Sequence, residues 1–307
     1  MQSNPRMCEL LVETGAYKDL DKPVILASGQ LGIYFVNTEK LAQDGGEFER
    51  FGDDSAAMVH HAVQMMEAHP SFREVIDIIA NEVRPLTVGQ DFPQISGGQR
   101  RDWLFSGPVA YVLGLPHISL YKDGNQPCQG FEILTAEGSR VPAKYCTDLK
   151  DVKAIHVVDL LTEASSCCKE PNGWVPQLRR GDAEITDLFA ITTRLQGGEQ
   201  NLQNIGVNAH TFVAIDEAFL RTYSRNPERA LDYQADPGKW ALDYLAQNGA
   251  LEFVGVFDPI GKKLDKAAAF LKRYGDALRD MSHMRPLEAA VQERYGRPIA
   301  EILSGGK

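Results

Sequence analysis

Ala154-Ile155-His156-Val157-Val158-Asp159-Leu160-Leu161-Thr162-Glu163-Ala164-Ser165-Ser166 is a run of mostly β-branched and apolar residues that meets one acid and then turns small and hydroxyl-rich. An apolar run of this length suits a strand buried on both faces of a parallel sheet. Ligands of open α/β sheets gather at strand carboxyl ends, so the loop 162–166 is expected there. Small residues let several backbone N–H groups turn inward, and Thr162, Ser165 and Ser166 add hydroxyl donors; together these suit a phosphate group. Taken alone, the stretch is equally well read as a strand ending in an ordinary Ser/Thr-rich loop.

Working outward, Ile95-Ser96-Gly97-Gly98-Gln99-Arg100-Arg101-Asp102 predicts a strand entering a loop. The glycines allow close backbone approach to a ligand, and paired arginines offer forked donors for phosphate oxygens. A helix is predicted over 105–113, stopped by Gly114, and 115–124 gives the next strand, with Lys122 at its carboxyl end. Pro171-Asn172-Gly173 breaks the chain, so the helix after the phosphate-type loop is expected to be short or bent. Residues 188–194 predict a strand delivering Arg194, followed by Gln196-Gly197-Gly198, and 210–215 a last strand. Strands separated by helices mark an α/β fold with a mainly parallel sheet flanked by helices.

Towards the amino terminus, 7–14 has helical spacing stopped by Gly15, and 23–30 and 33–37 are two strands joined through Ser28-Gly29. A helix over 53–68 is capped by Asp53 or Asp54. Residues 71–81 are apolar enough for a buried element, helix or strand. From Asp216 onward the pattern is helical, clearest over 240–249 and 263–279.

The chain has 307 residues, with 43% hydrophobic and 24% charged, ordinary for a globular protein. A net charge of −10 argues against a nucleic-acid partner, which requires a concentrated Lys/Arg surface. Cys8, Cys128, Cys146, Cys167 and Cys168 lack zinc-type spacing and are expected as free thiols; the neighbours His60 and His61 have no i, i+4 partner that would complete a metal site. Met1 to Arg6 has no signal-peptide core and no apolar run reaches about 18 residues, so a cytoplasmic protein with no membrane partner is expected.

The residues at 158–166 resemble the phosphoribosyl-diphosphate (PRPP) motif of type I phosphoribosyltransferases: two adjacent acids, two apolar residues and a Thr-Thr-Gly-x-Thr-like loop. Val158 stands at the first acid and Ala164 at the loop glycine. The hairpin with Ser28-Gly29 and Tyr34-Phe35-Val36-Asn37, and Arg194-Leu195-Gln196-Gly197-Gly198, resemble orotate phosphoribosyltransferases in particular, with Ala27, Gln30 and Thr193 in place of a lysine, an arginine and an aspartate. This resemblance runs over about residues 10 to 215. It implies a phosphoribosyltransferase-like domain over 1–215, with 1–60 as an N-terminal hood, and a helical extension over 216–307 packed on the same domain.

The activity implied is transfer of ribose 5-phosphate from PRPP to orotate or a related pyrimidine, with release of diphosphate. Such a site holds the leaving group's charge, positions the acceptor nitrogen and excludes water. The resemblance assigns the 5-phosphate to Thr162, Glu163, Ala164, Ser165 and Ser166, the ribose hydroxyls to Asp159, and the diphosphate to Arg100, Arg101 and Lys122, with Arg140 and Lys144 as further candidates. The pyrimidine falls to Arg194, helped by Phe35 and Thr162. Mg2+ is expected with PRPP, bridging diphosphate and ribose oxygens without a direct protein ligand, and a homodimer is implied. Glu163 in the phosphate loop, Val158 and Ala27 leave two alternatives open: a non-catalytic regulatory relative that binds PRPP or a nucleotide, and a transferase for another heterocycle.

Overall fold

The computed structural model describes residues 3–26, 28–43, 45–122, 132–134, 140–141, 149–261 and 263–304. Among them, nine strands follow one another as β1 (Tyr17–Ile25), β2 (Leu31–Val36), β3 (Pro93–Gly98), β4 (His117–Leu120), β5 (Glu132–Leu134), β6 (Arg140–Val141), β7 (Lys153–Leu161), β8 (Glu184–Thr193) and β9 (Asn208–Ala214). The helices used below are α1 (Pro5–Glu13), α2 (Ser55–Ala68), α3 (Pro70–Thr87), α4 (Trp103–Leu113), α5 (Ser165–Cys168), α6 (Trp174–Arg180) and α7 (Gly198–Asn204). Two compact units divide the chain: residues 1–17 with 36–219, and residues 18–35 with 220–307.

The larger unit is built on a seven-stranded sheet of order β6-β5-β4-β3-β7-β8-β9. β4, β3, β7, β8 and β9 are parallel neighbours, and β5 and β6 join antiparallel at one edge. From β3 the chain crosses through α4 to β4 on one side, then returns through β7 to β8 and β9 on the other. The direction of winding therefore reverses between β3 and β7, which makes that gap the sheet's topological switch point.

Local chemistry accounts for the flanking helices. Asn4 Oδ1 accepts the Met7 N–H with Pro5 opening α1, Asp54 Oδ1 accepts the Ala57 N–H at the start of α2, and Pro70 opens α3. Residues 71–81, undecided in the sequence, are helical because Pro70 starts a turn and Phe72, Val75, Ile76, Ile79, Ala80 and Val83 recur at helical spacing on one buried face. Gly114 adopts φ +69 and closes α4. The break at 171–173 leaves α5 with four residues before α6 begins at Trp174.

The smaller unit contains the β1–β2 hairpin and the C-terminal helices, so the hairpin expected with the N-terminal part clusters instead with residues 220–307. Ile25 and Leu31 join Phe253, Phe257, Phe270 and Leu278 in one apolar core. At the turn, Gly29 has φ +78, and a Cβ there would lie 2.4 Å from the Ala269 carbonyl carbon, so only glycine fits. Gln30 donates from Nε2 to the Pro237 carbonyl at 2.7 Å. Ala27 lies outside the described residues.

Two histidines are sealed into the larger unit. His117 lies between Ser106 Oγ (2.8 Å to Nε2) and Ser119 Oγ (3.3 Å to Nδ1), and His156 Nδ1 meets Ser96 Oγ at 2.9 Å. Both are fully buried, and burial lowers each from 6.5 to about 3. A depressed histidine contributes stability that is complete above about 6.5 and is lost as pH falls towards the folded value, at about 1.4 kcal/mol per unit for each ring. Urea unfolding should therefore show the protein weaker at pH 5.5 than at pH 7 by roughly 1–3 kcal/mol. Equal midpoints with equal slopes at the two pH values would mean that the rings take up protons without unfolding.

Candidate functional site

The register of β3 and β7 ends at Ser96↔His156, whereas β3 stays paired with β4 through Gly98↔Leu120 and β7 with β8 through Leu161↔Thr193. The sheet thus opens at its switch point, and a cavity of about 510 Å3 occupies that end. Arg100, Arg101, Lys122, Asp159, Thr162 and Ser166 line it. The basic loop after β3 and the small-residue loop after β7 therefore face the same space.

Packing holds the first loop in place. A Cβ on Gly97 would lie 2.0 Å from Ser106 Oγ, and one on Gly98 would lie 2.2 Å from Trp174 Cε2. The Trp103 indole donates to the Gly97 carbonyl at 2.9 Å. Three successive residues then meet the segment that precedes α2. Gln99 Nε2 donates to Asp53 Oδ1 (2.5 Å), Arg100 Nη1 to the Gly52 carbonyl (3.5 Å) and Arg101 Nε to Glu39 Oε1 (2.7 Å). Gln99 also accepts the Lys122 N–H at 2.8 Å, which ties the end of β4 to the same loop. Burial opposes the charge on Arg101, but Glu39, Asp159 and Asp102 outweigh it and hold the guanidinium cationic.

The second loop is braced from behind. Ala164 takes the left-handed conformation (φ +57), the backbone shape a glycine would adopt more easily, and it is buried. Asn201 Nδ2 donates to the Glu163 carbonyl at 2.9 Å, and a Cβ on Gly198 would lie 2.4 Å from the Thr162 carbonyl oxygen. The Gly197-Gly198 pair after Arg194 thus lets α7 press against the loop. Glu163 and Ser165 are exposed, and neither they nor Ala164 line the cavity. Arg194 stands outside the lining too; its N–H donates to the Leu161 carbonyl at 3.0 Å, and its Nε is buried without a hydrogen-bond partner among the described residues. Phe35 belongs to the smaller unit, where it is 39% exposed. The side chains of Arg140 and Lys144 lie outside the described residues.

Several lining residues have no forerunner in the sequence reading. Glu39, Glu49 and Asp102 add acids, while Phe48, Met58 and Trp174 add apolar walls. Asp102 is 7% exposed; its Oδ2 accepts the Gly98 N–H (3.1 Å) and its Oδ1 the Asp159 N–H (3.0 Å). Burial, followed by the neighbouring Asp159, pushes its carboxyl well above the usual range. Thr38 donates from Oγ1 to Asp159 Oδ2 at 2.9 Å. The one signal for Asp102 in the sequence is its place directly after two arginines. Cys167 also lines the space, but burial pushes its thiol well up, so it stays protonated.

No metal cage is present: among the described residues no three His, Cys, Asp or Glu side chains converge on a point. Nor is any helix there long and apolar enough to cross a membrane. Cys8, Cys167 and Cys168 are free thiols, and Cys128 and Cys146 lie outside the described residues.

At this end of a parallel sheet opened at its switch point, a basic Gly-Gly loop and a small-residue loop meet. No family model matches the chain. By sequence the chain is 26% identical over 161 residues to the adenine phosphoribosyltransferase of Aeromonas salmonicida, covering 49% of this chain and 81% of that enzyme. It is 24% identical over 196 residues to that of Vibrio atlanticus, covering 59% and 99%. The solved orotate phosphoribosyltransferase of Aeropyrum pernix aligns with a TM-score of 0.46 at 15% identity, over 70% of this chain and 98% of that one. Both of these sequence relatives bear the adenine name.

Gly198→Ala tests the bracing of the second loop. Its methyl group would meet backbone at 2.4 Å, and backbone yields poorly. A loss of about 1–3 kcal/mol in unfolding free energy is expected. An unchanged denaturant midpoint would show that the loop shifts freely.

Proposed function

We propose that the cavity binds PRPP and that the protein transfers ribose 5-phosphate to a nitrogen of a heterocyclic base, releasing diphosphate. The observation that carries this reading is the convergence of Arg100, Arg101 and Lys122 with Asp159, Thr162 and Ser166 on one space. Backbone N–H groups and hydroxyls at Thr162 and Ser166 take the 5-phosphate. Asp159 accepts from the ribose hydroxyls, and the three cations hold the diphosphate as its charge grows on departure. Phe48, Met58 and Trp174 provide apolar walls that keep water from the reacting carbon.

The donor set fits magnesium carried on the ligand. Mg2+ needs only one or two carboxylates when phosphate oxygens supply the rest, and Asp159 is the carboxylate placed to serve it. When bound, the ion would neutralise diphosphate charge. The sequence relatives support adenine as acceptor, whereas Arg194, the residue the resemblance gives to the orotate carboxylate, is off the cavity lining. A non-catalytic PRPP sensor is favoured by one feature: Glu39 already occupies Arg101, so a ligand must displace an ion pair before the diphosphate is gripped.

Diphosphate release from PRPP and magnesium, measured against adenine, orotate and other bases, separates these readings. Release with one base names the acceptor; PRPP binding without release from any base identifies a sensor; no binding removes both. Arg101→Ala should weaken PRPP at least about tenfold, since a charge-assisted contact contributes about 1.5–3 kcal/mol. Glu163→Thr should leave PRPP affinity nearly unchanged, because that side chain is exposed and off the cavity; marked tightening would place its carboxylate against the phosphate. Arg194→Ala should abolish the response to orotate alone if that base is the acceptor, whereas equal loss of PRPP binding would mark the arginine as structural.

A further inference from the structure

Where β3 and β7 part, two backbone donors lose the partners a continued ladder would have supplied. The Gly98 and Asp159 N–H groups are both taken up by one side chain, Asp102, at 3.1 and 3.0 Å. A buried N–H left unmade costs free energy, so the opening of the sheet depends on an acceptor at this place. Asp102 is 7% exposed and also lines the cavity, so the same carboxyl closes the split and borders the ligand space.

We propose that Asp102 is the positioning residue of the sugar-binding end of this cavity: by bridging the parted strands it fixes the Asp159 backbone and thereby the direction in which the Asp159 carboxylate meets a ribose diol. The inference rests on the reading that the cavity holds PRPP. Asp159 is held at two points, its N–H by Asp102 and its Oδ2 by the Thr38 hydroxyl, which leaves it little freedom to swing away from a ligand. Pre-setting one acceptor in this way lowers the ordering cost of binding.

Calorimetric binding of PRPP and, separately, of inorganic phosphate to the full chain tests this in the wild type and in Asp102→Asn and Asp102→Ala. Asparagine is isosteric, cannot ionise and keeps one of the two N–H anchors, so it is the variant expected to fold. The expected result is a PRPP affinity lowered about tenfold in Asp102→Asn and further in Asp102→Ala. Inorganic phosphate, which needs the 162–166 loop and not Asp159, should bind as before. Equal loss of both ligands would reduce Asp102 to a structural clamp, and unchanged PRPP affinity would dismiss it altogether; either overturns this inference alone. Absence of PRPP binding by the wild type overturns the functional reading and takes this inference with it.

Discussion

The parting of two parallel strands, β3 and β7, is the constraint on which the rest of the larger unit depends. Up to Ser96 and His156 they are paired neighbours; beyond, each keeps only its outer partner. Opening a sheet from the inside strands backbone donors, and a buried donor without an acceptor is costly. Asp102 satisfies both exposed N–H groups with one carboxyl, at the cost of burying an acid. That cost is moderated because the acid can stay neutral.

Around that split, the two ligand-facing loops are shaped by what lies behind them as much as by their own residues. Gly97 and Gly98 are pressed by Ser106 and Trp174, and Gly198 abuts the Thr162 carbonyl. Each glycine marks a contact too close for a side chain, so α4, α6 and α7 act as moulds for the loops. The side chains of Gln99, Arg100 and Arg101 in the first loop are engaged from the front as well, by Asp53, Gly52 and Glu39 in turn. The resting cavity is therefore close to balanced in charge, so the anionic ligand we propose would enter by exchanging partners rather than by filling a bare cationic pocket.

The smaller unit shows how a local motif can be recruited by distant packing. Ser28-Gly29-Gln30 resembles a hairpin that approaches a base, yet Gly29 is required by contact with Ala269 and Gln30 donates to Pro237. Within this unit the turn serves a helical core built from Phe253, Phe257, Phe270 and Leu278.

Read alone, the chain was legible wherever a signal was local. Apolar runs bounded by Gly, Pro or hydroxyl residues marked β3, β4, β7, β8 and β9, and their alternation with helical stretches specified a parallel sheet, because periodicity and turn chemistry are properties of neighbours in sequence. Local signals singled out the Gly-Arg loop and the 162–166 loop, and it was the resemblance that joined Arg100, Arg101, Lys122, Asp159 and the 162–166 loop in one candidate site. What only the tertiary structure decided arises between residues far apart in the chain. Asp102 beside Asp159, Glu39 against Arg101, Gly198 beneath Thr162, and the Arg194 side chain away from the cavity lining all depend on which strand ends adjoin and on which side chains packing leaves room for. Hydrogen bonding and close packing act through space, and no spacing along the chain records them.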